Sequence, residues 1–135
     1  MNTFDLFFKE NRSERECYFA EVCKDIKDEK GNVVKWKLKP LSTSEEEEIR
    51  EEATESINGN LRLNMNKYIE KLISASVVYP NLYDASLQDS YHCKTPEELL
   101  KQIINVPGEY SALAKLVQEK NGFKSLREEV EEAKN

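Results

Sequence analysis

Val34-Lys35-Trp36-Lys37-Leu38-Lys39-Pro40-Leu41-Ser42-Thr43-Ser44-Glu45-Glu46-Glu47-Glu48-Ile49-Arg50 contains the switch on which the fold turns. Up to Lys39, the apolar residues Val34, Trp36 and Leu38 alternate with lysines, and period two marks a strand with one buried face. Pro40 lacks the N–H that a ladder needs and stops the strand. From Ser42 the period becomes helical. Ser42, Thr43 and Ser44 precede Glu45, Glu46, Glu47 and Glu48, so Ser-x-x-Glu and Thr-x-x-Glu both offer capping-box spacing, and the early glutamates suit the positive end of a helix dipole.

Working back toward the N-terminus, Tyr18, Ala20 and Val22 alternate with Phe19, Glu21 and Cys23. With the polar stretch 27–32 as its turn, and Gly31 able to take positive φ, residues 17–40 read as a β-hairpin. On its second strand Trp36 points away from the three lysines, so it reads as a core tryptophan above a lysine-protected face, not a nucleic-acid contact. Residues 1–12 carry the aromatic cluster Phe4, Leu6, Phe7 and Phe8. It is expected to dock on the core or stay untethered, in preference to serving as a partner-binding handle.

Working forward, the first helix is expected to run from Ser42 through Ile57 and to end at Asn58-Gly59-Asn60, with 61–65 a short extended link. Asn66 then caps a helix with Tyr68, Ile69, Leu72 and Ile73 on one stripe, ending at Tyr79-Pro80. Asp84 caps a short turn over 84–91. Thr95-Pro96-x-Glu98 opens the next helix, and Pro107-Gly108 breaks it. A further helix closes at Asn121-Gly122, and Ser125 with Glu128 caps a last one. The sum is an α+β fold, predominantly helical: an N-terminal hairpin followed by about five short helices in a single domain over 1–135.

The 135 residues, 34% charged and 39% hydrophobic, suit one compact domain with a heavily solvated surface. No apolar run approaches the ~20 residues of a membrane span. Two acids among the first ten residues argue against a signal peptide. A net charge of −6 removes any general attraction to nucleic acid or anionic lipid. Three cysteines, an odd number, point to free thiols and a reducing compartment.

Chemistry-bearing patterns are thin. Cys17, Cys23, His92 and Cys93 lack paired zinc-ligand spacing, and the adjacent His92 and Cys93 diverge on any regular backbone, so no metal site is expected. One histidine, with no nucleophile elbow, gives a Cys93 or Cys17 hydrolase little support. The four glycines form no phosphate loop, so no cofactor is expected. The acidic runs read as capped, solvated helix faces, and the chain as a non-enzyme. The tyrosine-rich segment Tyr79, Pro80, Leu82, Tyr83 and Tyr91 is the candidate protein-binding surface, because tyrosine combines apolar area with a polar tip.

The ordered motifs at 31–39, 41–50, 66–80, 87–91, 107–110, 117–123 and 126–134 resemble the XkdN-like family of phage tail assembly chaperones. The resemblance implies a phage or prophage protein that binds the tape measure protein during tail assembly and keeps it soluble. It further implies the tail tube protein as a second partner, action in the bacterial host cytoplasm, and absence from the mature virion. Self-association stays open. The competing reading is another acidic interaction module, such as a phage inhibitor or charge mimic; acids and bases interleave through residues 9–39, which counts against it.

Overall fold

The computed structural model describes residues 2–124. The helix expected from Ser125 lies outside them. Two 3-10 turns, Thr3–Phe7 and Lys9–Asn11, lead into β1 (Tyr18–Ala20). β1 pairs antiparallel with β2 (Trp36–Leu38), Tyr18 opposite Leu38 and Ala20 opposite Trp36. The expected hairpin is present, with a long connection pinched by a bridge between Lys27 and Val33. Alternation sends Trp36 and Leu38 into the core at 2% and 0% exposure, while Lys35 stays exposed.

α1 (Thr43–Glu52) starts as its capping box requires. The Ser42 hydroxyl accepts from the Glu45 N–H, and the Glu45 carboxylate accepts from the Ser42 N–H, both at 3.1 Å. It stops at Glu52, five residues earlier than expected. Thr54–Ile57 and Asn60–Leu63 form the two-stranded hairpin β3–β4 instead. Asn58 and Gly59 have φ of 52° and 81°, the paired left-handed residues of a type I′ turn. Asn-Gly thus turns a hairpin here and does not end a helix. The Asn64 N–H donates to the Ala53 carbonyl at 2.8 Å and closes the hairpin's base.

α2 (Met65–Ser76) is capped by Asn64, not Asn66; the Asn64 side chain accepts from the Lys67 N–H at 3.1 Å. It ends at Ser76 because Val77-Val78-Tyr79 become β5, which pairs with β2 and gives the sheet the order β1-β2-β5. A β-branched run beside an open strand edge prefers the pleated conformation. α3 (Ala85–Ser90), α4 (Pro96–Ile103) and α5 (Pro107–Lys120) follow. Asp84 and Thr95 accept from the Leu87 and Glu98 N–H groups, as their positions imply.

α2 packs against α1, α4 and α5. Leu72, Ile73, Leu99, Leu100, Leu113 and Val117 join Trp36 and Leu38 in one core cluster. Each such side chain contributes about 1.5–3 kcal/mol by leaving water. Around that core, Lys71 on α2 bridges Glu52 of α1 and Glu97 of α4 at 3.3 and 3.6 Å. Buried Glu46 of α1 accepts from Arg50 and from the Tyr68 hydroxyl of α2, the latter at 3.0 Å. At the other end, Asn121 ties α5 to the start of α1: its Oδ1 accepts from the Leu41 N–H at 2.8 Å.

Candidate protein-binding cleft

Chain folding gathers the tyrosine-rich segment around a cleft of about 320 Å³. Its walls are Tyr79 and Pro80 at the end of β5, Leu87 of α3, and Tyr91 just beyond it. Trp36 of β2 and Ile103 of α4 complete the lining from the core side, and Ile26 and Val34 close it from the β1–β2 connection. Apart from the tyrosine hydroxyls and the Trp36 indole N–H, the lining side chains are apolar. A cavity with this lining has the chemistry to bury a hydrophobic side chain and to offer hydroxyls for hydrogen bonds.

Of the five residues singled out from sequence, the cleft unites Tyr79, Pro80 and Tyr91. Tyr79 is 55% and Tyr91 37% exposed, so both present ring surface to solvent. Leu82 is different: at 1% exposure it belongs to the core and supports the segment from beneath. Its carbonyl accepts from Gln88 Nε2 at 2.8 Å, which anchors the turn between β5 and α3. Tyr83 is 70% exposed and does not line the cleft. Trp36, Leu87 and Ile103 were not foreseen as parts of a site. Their sequence signals are those of core residues, and only the tertiary fold brings them to a cavity.

The aromatic N-terminus neither docks on the core nor buries any residue. Phe4 packs on Phe7 and Phe8 with ring centroids 6.5 and 5.6 Å apart, and all three rings stay exposed. A broad depression of about 860 Å³ separates this segment from Leu41 and Glu45. Its walls carry charges of both signs, Lys9, Arg12 and Arg15 with Glu10 and Glu14, beside Pro40 and Leu41.

The cysteines and histidine do not converge. Cys17 is exposed, whereas Cys23 and Cys93 are buried. Among the described residues, the one group of clustered potential ligands is Cys23 with Asp25 and Glu109, whose ligand atoms lie within 4.8 Å of one another. Asp25 and Glu109 were not candidates on sequence spacing, since α5 alone brings Glu109 there. Burial, then the carboxylates of Glu109 and Asp25, push the Cys23 thiol up to about 11. It therefore stays protonated at neutral pH, directed at the Ile103 carbonyl 3.7 Å away. Glu109 also accepts the Lys24 N–H at 3.0 Å, a strut between α5 and the β1–β2 connection. No described helix is long and apolar enough to cross a membrane.

Three comparisons place the chain among known proteins. The sequence model of the phage XkdN-like tail assembly chaperone family matches residues 4–134. The phage-like element PBSX protein XkdN of Bacillus subtilis strain 168 is 32% identical, over 99% of this chain and 96% of its own length. The protein YqbN of the same organism is 30% identical, over 83% of this chain and 78% of its own length. A crystal structure of YqbN superposes with a TM-score of 0.79 at 23% identity, covering 92% of this chain and 99% of that one. The chain therefore belongs to the XkdN-like family of phage tail assembly chaperones.

Proposed function

We propose that this tail assembly chaperone binds the tape measure protein of its phage tail and keeps it soluble until the tail tube encloses it. It acts without catalysis in the bacterial host cytoplasm and leaves before the virion matures, with tail tube subunits as a second partner. The observation carrying this reading is the apolar cleft rimmed by Tyr79 and Tyr91. A long helical client exposes apolar stripes before its neighbours arrive, and such surface aggregates unless covered. At about 320 Å³ the cleft lies at the small end of the usual range of ligand sites, roughly 300–1,000 Å³, and suits one or two anchoring side chains.

One such anchor contributes about 1.5–3 kcal/mol. A micromolar complex needs about 8 kcal/mol. The client must therefore meet more of this surface than the cleft alone, and exposed Tyr83 extends it. Co-expression with the tape measure protein of the same tail, followed by solubility and co-purification assays, tests the reading. The expected result is a soluble complex in which Trp36 emission shifts and which Tyr91→Ala weakens. A tape measure protein that stays insoluble and unbound at every salt concentration overturns it.

A further inference from the structure

The turn after β1 and the start of α5 bring three ligand atoms to one place. The Ile26 N–H donates to the Cys23 carbonyl at 3.2 Å, and this tight turn carries both Cys23 and Asp25. Glu109 arrives from the first turn of α5. The Cys23 sulfur and one carboxylate oxygen from each acid lie within 4.8 Å of one another, the one such group of metal-ligating side chains among the described residues. Glu109 Oε2 accepts from the Lys24 N–H at 3.0 Å, so the turn that carries two of the ligands also orients the third. Cys23 is 1% exposed, and its sulfur faces the Ile103 carbonyl at the end of α4.

Asp25 and Glu109 form no ion pair among the described residues. Other acids of the chain share that property. What sets these two apart is that they converge on each other and on a buried thiol. Two neighbouring carboxylates repel, and a cation between them would turn that repulsion into attraction.

We propose that Cys23, Asp25 and Glu109 bind zinc(II), which clips α5 to the β1–β2 connection. Zinc takes sulfur at ~2.3 Å and oxygen at ~2.0–2.2 Å in a tetrahedron, so its ligands stand roughly 3.5 Å apart. Asp25 is exposed, and a swing of its side chain by about 1 Å closes the group to that spacing. Water fills the fourth position on the exposed side. A thiolate ligand selects zinc over magnesium and calcium, which take oxygen ligands, and two carboxylates disfavour monovalent copper. On binding, the Cys23 thiol releases its proton to the buffer and its sulfur donates an electron pair to the metal. Burial and the two acids push that thiol up to about 11, so affinity should climb about tenfold per pH unit near neutrality. Sequence spacing hides the site, because only the packing of α5 brings Glu109 to the turn. Ile26 and Ile103 also line the tyrosine-rimmed cleft, so the clip fixes two of its walls.

The test uses the full chain carrying Cys17→Ser, which removes the exposed thiol, stripped of metal and titrated with cadmium or zinc. Cadmium should bind at one equivalent and produce the ultraviolet charge-transfer band of a metal thiolate. Zinc should displace it and raise Tm, and magnesium at the same concentration should do neither. Zinc affinity should rise about tenfold from pH ~6.5 to ~7.5. Cys23→Ser should abolish the band, and Asp25→Asn and Glu109→Gln should each weaken zinc by about tenfold or more. If Cys23→Ser does not keep wild-type circular dichroism, Asp25→Asn carries the expectation, since that exposed side chain belongs to no part of the core. The absence of a thiolate band overturns the proposal. So does a band that survives Cys23→Ser, which assigns the metal to Cys93. Zinc affinity that is flat with pH, indifferent to both acid variants, or matched by magnesium overturns it as well. Tape measure capture enters none of these readouts, so the metal site and the chaperone reading stand or fall separately.

Discussion

Replacing Tyr68 by phenylalanine should loosen the joint between α1 and α2 by a measurable and bounded amount. Glu46 and Tyr68 are 8% and 7% exposed, and the phenol donates to the carboxylate at 3.0 Å. The same carboxylate accepts from Arg50, whose side chain is half exposed. Tyr68→Phe keeps the ring's packing and removes one hydrogen bond to a buried charge. Such bonds are worth about 1.5–3 kcal/mol, and the lower end applies because Arg50 keeps the carboxylate partly satisfied. We expect a loss of about 1.5–2 kcal/mol, which in a chain of this size lowers Tm by about 6–8 °C. Thermal unfolding followed by circular dichroism provides the assay. Glu46→Ala and the double variant complete a cycle, and their effects should fall short of additive by about 1 kcal/mol because the bond can be lost only once. A Tyr68→Phe chain within about 0.5 kcal/mol of wild type, or strictly additive variants, would refute the claim that this bond joins the helices.

Three more outcomes rest on burial and backbone geometry. Burial pushes the Tyr18 and Tyr68 hydroxyls up to about 12, with Glu46 adding to the effect at Tyr68. The folded state thus holds these protons longer than the unfolded chain, so their contribution is intact below about pH 10 and is lost as pH rises toward about 12. Urea midpoints across that alkaline range should fall together with the appearance of tyrosinate absorbance. Alkylation of the native chain near neutral pH, followed by mass spectrometry, should modify exposed Cys17 quickly and buried Cys23 and Cys93 only after unfolding. Gly59→Ala should cost about 1 kcal/mol through its φ of 81° alone, since a Cβ there meets nothing within 4 Å. Hydrogen exchange should accelerate in 54–63 while Trp36 emission stays unchanged.

Elements closed by local chemistry were legible from sequence. Asp84, and Thr95 before Pro96, each satisfy a helix end through residues three positions away, and the structure keeps both starts; of the Ser and Thr residues that offered a box before the glutamate run, it takes Ser42 with Glu45. The errors came where local signals served two masters. Asn58-Gly59 offers the left-handed backbone that ends a helix and also turns a hairpin; the alternation in the partly polar 54–57 and 60–63 was the available clue. Val77 continues the apolar stripe of α2, yet a distant partner, β2, claims it as a strand. The candidate site divides in the same way. Tyr79, Pro80 and Tyr91 were readable from composition, whereas Leu82 could not be told from its neighbours without the fold. Trp36 lines the cleft only because residues 36, 79, 91 and 103 meet in three dimensions.

The hairpin β3–β4 changes how this chain can be altered. Its base is fixed where the Asn64 N–H meets the Ala53 carbonyl, and beyond that point it makes its ladder with itself. The ribbon can therefore gain or lose residues in cross-strand pairs, moving the tip by roughly 3.4 Å per pair, while α1 and α2 keep their positions. Between relatives, this is where length can drift at little cost to the core. In the laboratory, the Asn58-Gly59 tip is a natural attachment point for a fluorophore or affinity handle, since α1 and α2 do not depend on it.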